Sequence, residues 1–264
     1  MFSDPLTDHE PRRGGVSAER RGYRLSGNGS ALPRRRYGDT VRGKAILPDA
    51  FDSSADNFLF TASDQSHAFA MRIIGGTAGG TILKVPKGWD VRPTPDLVRQ
   101  AVFNSLGERV VGARVLELFA GTGALSLECL SRGAVSAFCV EKSERHALVL
   151  RQNCEAAGLT PHSLQVRVLD ALTALGQLAE GRAEFDLVLA DPPYGEKNVG
   201  RRSMSFAQQL LDNPHLPALL APDGLFVLGH TKRDTLSLPE VWRERKQLKH
   251  GDTVMWFLQT GIWT

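Results

Sequence analysis

Cysteine is scarce in this chain: Cys129, Cys139 and Cys154 are the three among 264 residues, and none forms a C-x-x-C pair. An odd number set in apolar runs excludes a disulfide framework and a thiolate metal site, and predicts buried, reduced side chains. The seven histidines are scattered, without an H-E-x-x-H pattern, so no metal is expected. No apolar run approaches the roughly 20 residues of a membrane-spanning helix. The N-terminus lacks the charged-then-apolar order of a secretory signal, so a cytoplasmic protein with no membrane partner is expected. Internal repeats are absent. Excess charge is small, +3, which permits a nucleic-acid partner without demanding one. What remains is a chain with 42% hydrophobic and 23% charged residues, a globular composition long enough to bury a core.

Charge is unevenly spread. Arg12, Arg13, Arg20, Arg21, Arg24, Arg34, Arg35, Arg36 and Arg42 crowd a segment, residues 1–70, that is rich in Gly, Ser and Pro and shows no sustained period. Such a composition buries too little apolar surface to offset chain entropy, and predicts a disordered basic extension. Two readings stay open: an RNA-contacting arm, or an over-extended reading frame whose natural start is Met71. At Met71 the character changes. Met71-Arg-Ile-Ile-Gly-Gly and Thr81-Ile-Leu-Lys-Val-Pro86 are β-rich runs joined by glycines, a hairpin pattern. Residues 96–106 place Leu97, Val98, Ala101, Val102, Ser105 and Leu106 at helical spacing, with Thr94 as a cap and Pro95 in the first turn. Strands are expected near 114–119, 135–140, 164–169, 185–190 and 224–229, and helices near 123–132, 143–157, 171–179 and 204–220. Residues 240–249 and 253–260 read as an antiparallel pair closing one sheet edge. The fold class is therefore α/β: a doubly wound, mostly parallel sheet, with a C-terminal hairpin and a small N-terminal β-hairpin.

Four strand ends carry acids. Phe185-Asp-Leu-Val-Leu-Ala-Asp-Pro-Pro-Tyr194 is an apolar strand stopped by two prolines, which lift Asp191 and Tyr194 off the carboxyl edge of the sheet. A carboxylate, the Pro193 carbonyl and an aromatic ring suit a planar group with an exocyclic amine. Leu116-Glu-Leu-Phe-Ala-Gly-Thr-Gly-Ala-Leu-Ser126 is a strand, a glycine turn and a helix start. A dinucleotide fingerprint would place a third glycine where Ser126 stands, and Glu117 would repel a pyrophosphate but suits a cationic amino-acid end. Glu141 ends the second strand, placed for ribose hydroxyls, and Asp170 ends the third, placed for an adenine amine or as a helix cap.

This constellation resembles the class I S-adenosylmethionine-dependent methyltransferases. With the flanking Arg72-Ile-Ile-Gly-Gly, Arg92-Pro-Thr, Val98-Arg-Gln-Ala-Val-Phe-Asn104 and Leu130-Ser-Arg-Gly133, residues 71–260 resemble the RsmD family, which methylates a guanine N2 in small-subunit (16S) ribosomal RNA. The resemblance implies a seven-stranded sheet and S-adenosylmethionine as cofactor. Residues 71–110 would form the N-terminal hairpin and helix, and 111–264 the methyltransferase domain. Glu117, Gly121 and Gly123 would hold the methionine end, Glu141 the ribose and Asp170 the adenine. Thr94 and Asn104 would lie over the cofactor. Asp191 and Pro193 would orient the amine, and Tyr194 would stack on an extruded base. Arg72, Lys84, Lys87, Arg92, Arg99, Arg201 and Arg202 are the candidate phosphate contacts. Residues 194–204 read as a lid, and the expected partner of a monomeric enzyme is the ribosomal RNA or the assembled small subunit. Competing readings are an amino-methyltransferase for DNA or protein glutamine, and a non-catalytic assembly factor. A nicotinamide dehydrogenase is disfavoured by Ser126.

Overall fold

The computed structural model describes residues 71–86, 94–194 and 201–261. Expectations for residues 1–70, for Lys87 and Arg92, and for most of the proposed lid lie outside the described residues. Among the described residues, seven strands form one sheet in the order β3-β2-β1-β4-β5-β7-β6. They are β1 (Arg114–Leu118), β2 (Ser136–Glu141), β3 (Leu164–Val168), β4 (Phe185–Ala190), β5 (Leu220–Thr231), β6 (Trp242–His250) and β7 (Thr253–Thr260). The first five are parallel, while β7 runs antiparallel to both β5 and β6. The chain therefore winds outward through β2 and β3, then restarts on the other side of β1 with β4. Between β1 and β4 lies the topological switch point, where open α/β sheets bind ligands.

Strand alternation divides the core into two layers. Val115, Leu187, Leu189 and Val227 face one side, where they meet Val102 and Phe103 of α1 (Asp96–Leu106), Leu127 of α2 (Ala124–Ser131) and Leu150 of α3 (Glu144–Ala156). Leu116, Leu118, Val188 and Phe226 face the other, against Leu175 of α4 (Ala171–Glu180) and Leu210 of α5 (Phe206–Leu211). Helix α5 is much shorter than the expected 204–220. Pro214 and Pro217 end it, because a proline disfavours helical backbone in the residue before it.

The N-terminal hairpin is slight: a bridge, Arg72 to Ile82, flanked by bonds from the Leu83 amide to the Met71 carbonyl at 2.8 Å, from the Ile73 amide to the Thr81 carbonyl at 3.0 Å and from the Gly80 amide to the Ile73 carbonyl at 2.8 Å. Side chains from elsewhere hold it. Glu128, fully buried in α2, accepts from the Ile74 and Gly75 amides at 2.6 and 2.9 Å and from Arg132 Nε at 2.7 Å. Asn153 of α3 accepts from the Lys84 amide at 2.8 Å and donates to the carbonyls of Lys84 and Thr122, each at 3.1 Å. The hairpin is thereby fastened against the glycine turn.

Candidate active site

Beyond β1 the backbone turns sharply through Phe119, Gly121 and Gly123, at φ of +57°, +54° and +79°. A Cβ on Gly123 would lie 2.7 Å from Leu150 Cγ, so both backbone and space require glycine there. Phe119 pairs with Phe206, ring centroids 5.2 Å apart, tying the turn to the start of α5.

Glu117 lies beneath this turn. Its carboxylate accepts from the Ser126 amide at 3.0 Å, from the Ser126 hydroxyl and from the Leu125 amide, the unpaired donors of the first turn of α2. A phosphate at a helix N-terminus would use those same donors. An internal carboxylate has filled the place, which suits a nucleoside ligand without phosphates. In this structure the described partners of Glu117 are the start of α2, and its expected contact with the methionine end is not among them. Like Val115, Glu117 faces the side of β1 covered by α2, so it positions the turn from below.

Burial raises the Glu117 carboxyl from 4.5 to about 7, against the opposing bonds from Ser126 and Leu125. The folded state therefore holds this proton more tightly than the unfolded chain, and stability from this group falls as pH rises from 4.5 to about 7. The full cost is about 3 kcal/mol. In urea denaturation, the wild type is expected to lose about that much stability relative to Glu117→Gln between acid pH and pH 8. A gap between the two that does not change with pH would contradict the assignment.

Glu141 joins two loops: Oε2 accepts from the Gly121 amide and Oε1 from the Ser143 amide, both at 2.8 Å. Asp170 is the cap of α4, with Oδ1 accepting from Leu172 at 3.0 Å and Thr173 at 3.4 Å, while Oδ2 lies 3.6 Å from Lys142 Nζ.

Asp191 stands immediately after β4. The pairing of Ala190 with Leu228 brings it beside Gly229, and a Cβ there would lie 2.2 Å from Asp191 Oδ1. Oδ2 accepts the Thr94 hydroxyl, whereas Oδ1 is buried and has no hydrogen-bond partner among the described residues. Burial pushes this carboxyl above its ordinary range, and the Thr94 bond opposes the shift. Pro192 is buried, and Pro193 and Tyr194 are exposed. The Tyr194 hydroxyl is 2.9 Å from Thr253 Oγ1.

Thr94 does not cap α1 as expected. Pro95 occupies the cap position without a side-chain bond, leaving Thr94 one residue outside the helix and free to reach Asp191. Asn104 is exposed in the last turn of α1, roughly 12 Å along the axis from its start. Arg99 is also corrected. At 1% exposure it donates to Asp96 at 2.6 Å and to the Arg72 carbonyl at 2.7 Å, fastening α1 to the hairpin, and cannot meet an RNA phosphate. Arg72, Lys84, Arg201 and Arg202 are exposed. Arg72 pairs with Asp96 at 3.1 Å and Arg202 with Asp212 at 2.7 Å. Thr253 and Gly229 were missed from sequence. Their only signal is membership of strands that end at the same edge.

A doubly wound sheet with a glycine turn, acids at the strand ends and an Asp-Pro-Pro-Tyr box at the switch point defines a class I S-adenosylmethionine-dependent methyltransferase. Residues 71–259 match the family model described as Conserved hypothetical protein 95, and the chain belongs to that family of RsmD-type methyltransferases. A putative rRNA methyltransferase, YlbH of Bacillus subtilis, is 34% identical over 170 residues, 64% of this chain and 86% of that protein. The ribosomal RNA small subunit methyltransferase D of Haemophilus influenzae is 30% identical over 181 residues, 69% of this chain and 89% of that protein. Among solved structures, the putative methyltransferase yhhF from Escherichia coli superposes with a TM-score of 0.57 at 30% identity, covering 72% of this chain and 97% of that one.

Proposed function

We propose that this enzyme methylates the exocyclic N2 of a guanine in small-subunit ribosomal RNA, with the base extruded onto Tyr194. The buried Oδ1 of Asp191, without a partner among the described residues, carries the reading. An acceptor removed from water and left without a donor is costly, and an amine N–H supplies what it lacks. The relatives named as ribosomal RNA methyltransferases support the ribosomal RNA, and the RsmD resemblance supports guanine N2.

S-adenosylmethionine supplies an electrophilic methyl on a sulfonium sulfur. The Gly121–Gly123 turn would take its methionine end and Glu141 its ribose. Asp170, whose Oδ1 serves the helix cap, would offer Oδ2 to the adenine amine. Guanine N2 is a weak nucleophile because its lone pair is delocalised into the ring. Bonds from N2–H to Asp191 and the Pro193 carbonyl draw that lone pair out of conjugation as positive charge develops. The cofactor would give up its methyl to N2 and keep the C–S electron pair on its sulfur, so no other leaving group would be needed. Asp191, whose proton affinity burial has raised, receives the N2 proton. Pro192 and Pro193 hold the acceptors in place, so much of the acceleration comes from positioning. Arg72, Lys84, Arg201 and Arg202 would meet RNA phosphates.

Small subunits from a strain lacking the modification, incubated with this protein and methyl-labelled cofactor, are expected to yield labelled N2-methylguanosine. Label found solely outside guanine, or none, would overturn the reading.

A further inference from the structure

Two turns lie side by side at the carboxyl edge of the sheet. Strand β5 runs on to Thr231, which pairs with Thr253 at the start of β7. The chain beyond β5 then meets the β6–β7 turn, where the Lys232 amide donates to the Asp252 carbonyl at 2.8 Å. Because β7 is antiparallel to both neighbours, β6 points the same way as β5, and its last residues, Lys249 and His250, reach the same edge. Together the turns present Lys232, Arg233, Lys249 and His250, all exposed, around one exposed acid, Asp252. Asp252 accepts from Lys232 at 3.1 Å and Arg233 at 2.8 Å, yet these side chains remain 59% and 63% exposed.

Lysines on an edge strand also deter sheet-to-sheet pairing. That accounts for Lys246 within β6, but not for Lys232 and Arg233, which follow a strand paired on both sides. Their position is tied to the site instead. The Tyr194 hydroxyl is 2.9 Å from Thr253 Oγ1, so the last residue of the box is fastened to the turn that the cations surround. A base stacked on Tyr194 brings its flanking phosphates towards this edge.

We infer that Lys232, Arg233 and Lys249 form a docking surface for the RNA phosphates beside the extruded guanine, an inference that rests on the function proposed above. It is distinct from Arg72 and Lys84, which belong to the N-terminal hairpin. Contacts of this kind set register and orientation, carry no base information, and make binding salt-dependent.

Fluorescence anisotropy with a labelled small-subunit RNA fragment, in the presence of S-adenosylhomocysteine, reads the surface without requiring turnover. The triple variant Lys232→Ala/Arg233→Ala/Lys249→Ala is expected to bind at least about tenfold more weakly at moderate salt. Its slope of log affinity against log salt should be shallower by about two. Calorimetric affinity for S-adenosylmethionine should not change. A second triple, Arg145→Ala/Arg151→Ala/Arg167→Ala, removes equal charge from exposed positions on α3 and β3 at the opposite side of the sheet, and should leave the slope near wild type. Equal losses in both triples, no loss in the first, or a wild type that does not bind the fragment would overturn the docking surface. Methyl transfer is scored separately: a wild type that binds through this rim but labels no guanine overturns the proposed function and leaves the surface standing.

Discussion

Replacing Asp191 with alanine is expected to lower kcat by about 10²- to 10³-fold, the range for removing one positioned group that stabilises developing charge. Affinity for S-adenosylmethionine should change little, since Glu141, Asp170 and the glycine turn stand on other strands. The folded state should not suffer. Asp191 Oδ1 is buried without a donor among the described residues, so removing the carboxyl relieves a desolvation cost and offsets the bond lost to Thr94. Unfolding midpoints equal to or above wild type, with activity gone, would be the expected pair of results. Activity near wild type would overturn the role. The pH profile adds a separate test. Burial raises this carboxyl, so the active carboxylate is lost on acidification at a higher pH than for an ordinary aspartate. The acid limb of kcat should flatten in Asp191→Asn, which retains an acceptor oxygen but cannot take the proton.

Gly229→Ala is expected to cost nearly as much, although residue 229 bears no functional group. The added methyl carbon would lie 2.2 Å from Asp191 Oδ1, 2.9 Å from its Cγ and 3.3 Å from its Cα, so rotation of the side chain alone does not clear it. The carboxyl must leave its place between β5 and Thr94. A misplacement of about 1 Å can cost 10²-fold in rate, and a loss of that order in kcat is expected here. Strand β5 is paired on both sides and should persist, with destabilisation of about 1–3 kcal/mol from overpacking. Single-turnover methylation alongside urea denaturation separates the two effects. Full activity in Gly229→Ala would mean that the position of Asp191 is not critical.

Much of this architecture is legible in the residues. Short apolar runs interrupted by glycine and proline gave five strands to within a few positions at most boundaries. Acids at or beside the ends of β1 to β4 mark one edge of the sheet. The failures share a cause: sequence fixes which residues adjoin along a strand or helix, but not which way each is turned against a distant neighbour. Glu117 ends a strand as an active-site acid would, yet alternation directs it under α2. Arg99 looks like surface charge, although its spacing from Val102, Phe103 and Leu106 already sets it on the buried stripe of α1. Thr94 offered a hydroxyl to the nearest helix, but its partner lies 97 residues away. Gly229 was unremarkable until β5 was laid beside β4.

The clamp on the N-terminal hairpin bears on how the protein is made. Ile74 waits for Glu128, 54 residues later, and Lys84 for Asn153, 69 residues later. At translation speeds of about 5–20 residues per second, those partners follow by roughly 3–14 s. Until then the hairpin has only its own backbone bonds, and its apolar residues are open to chaperones. Of the described residues, the earliest synthesised thus stay unsecured until α3 has been made, and the glycine turn is finished only after α3 has left the ribosome.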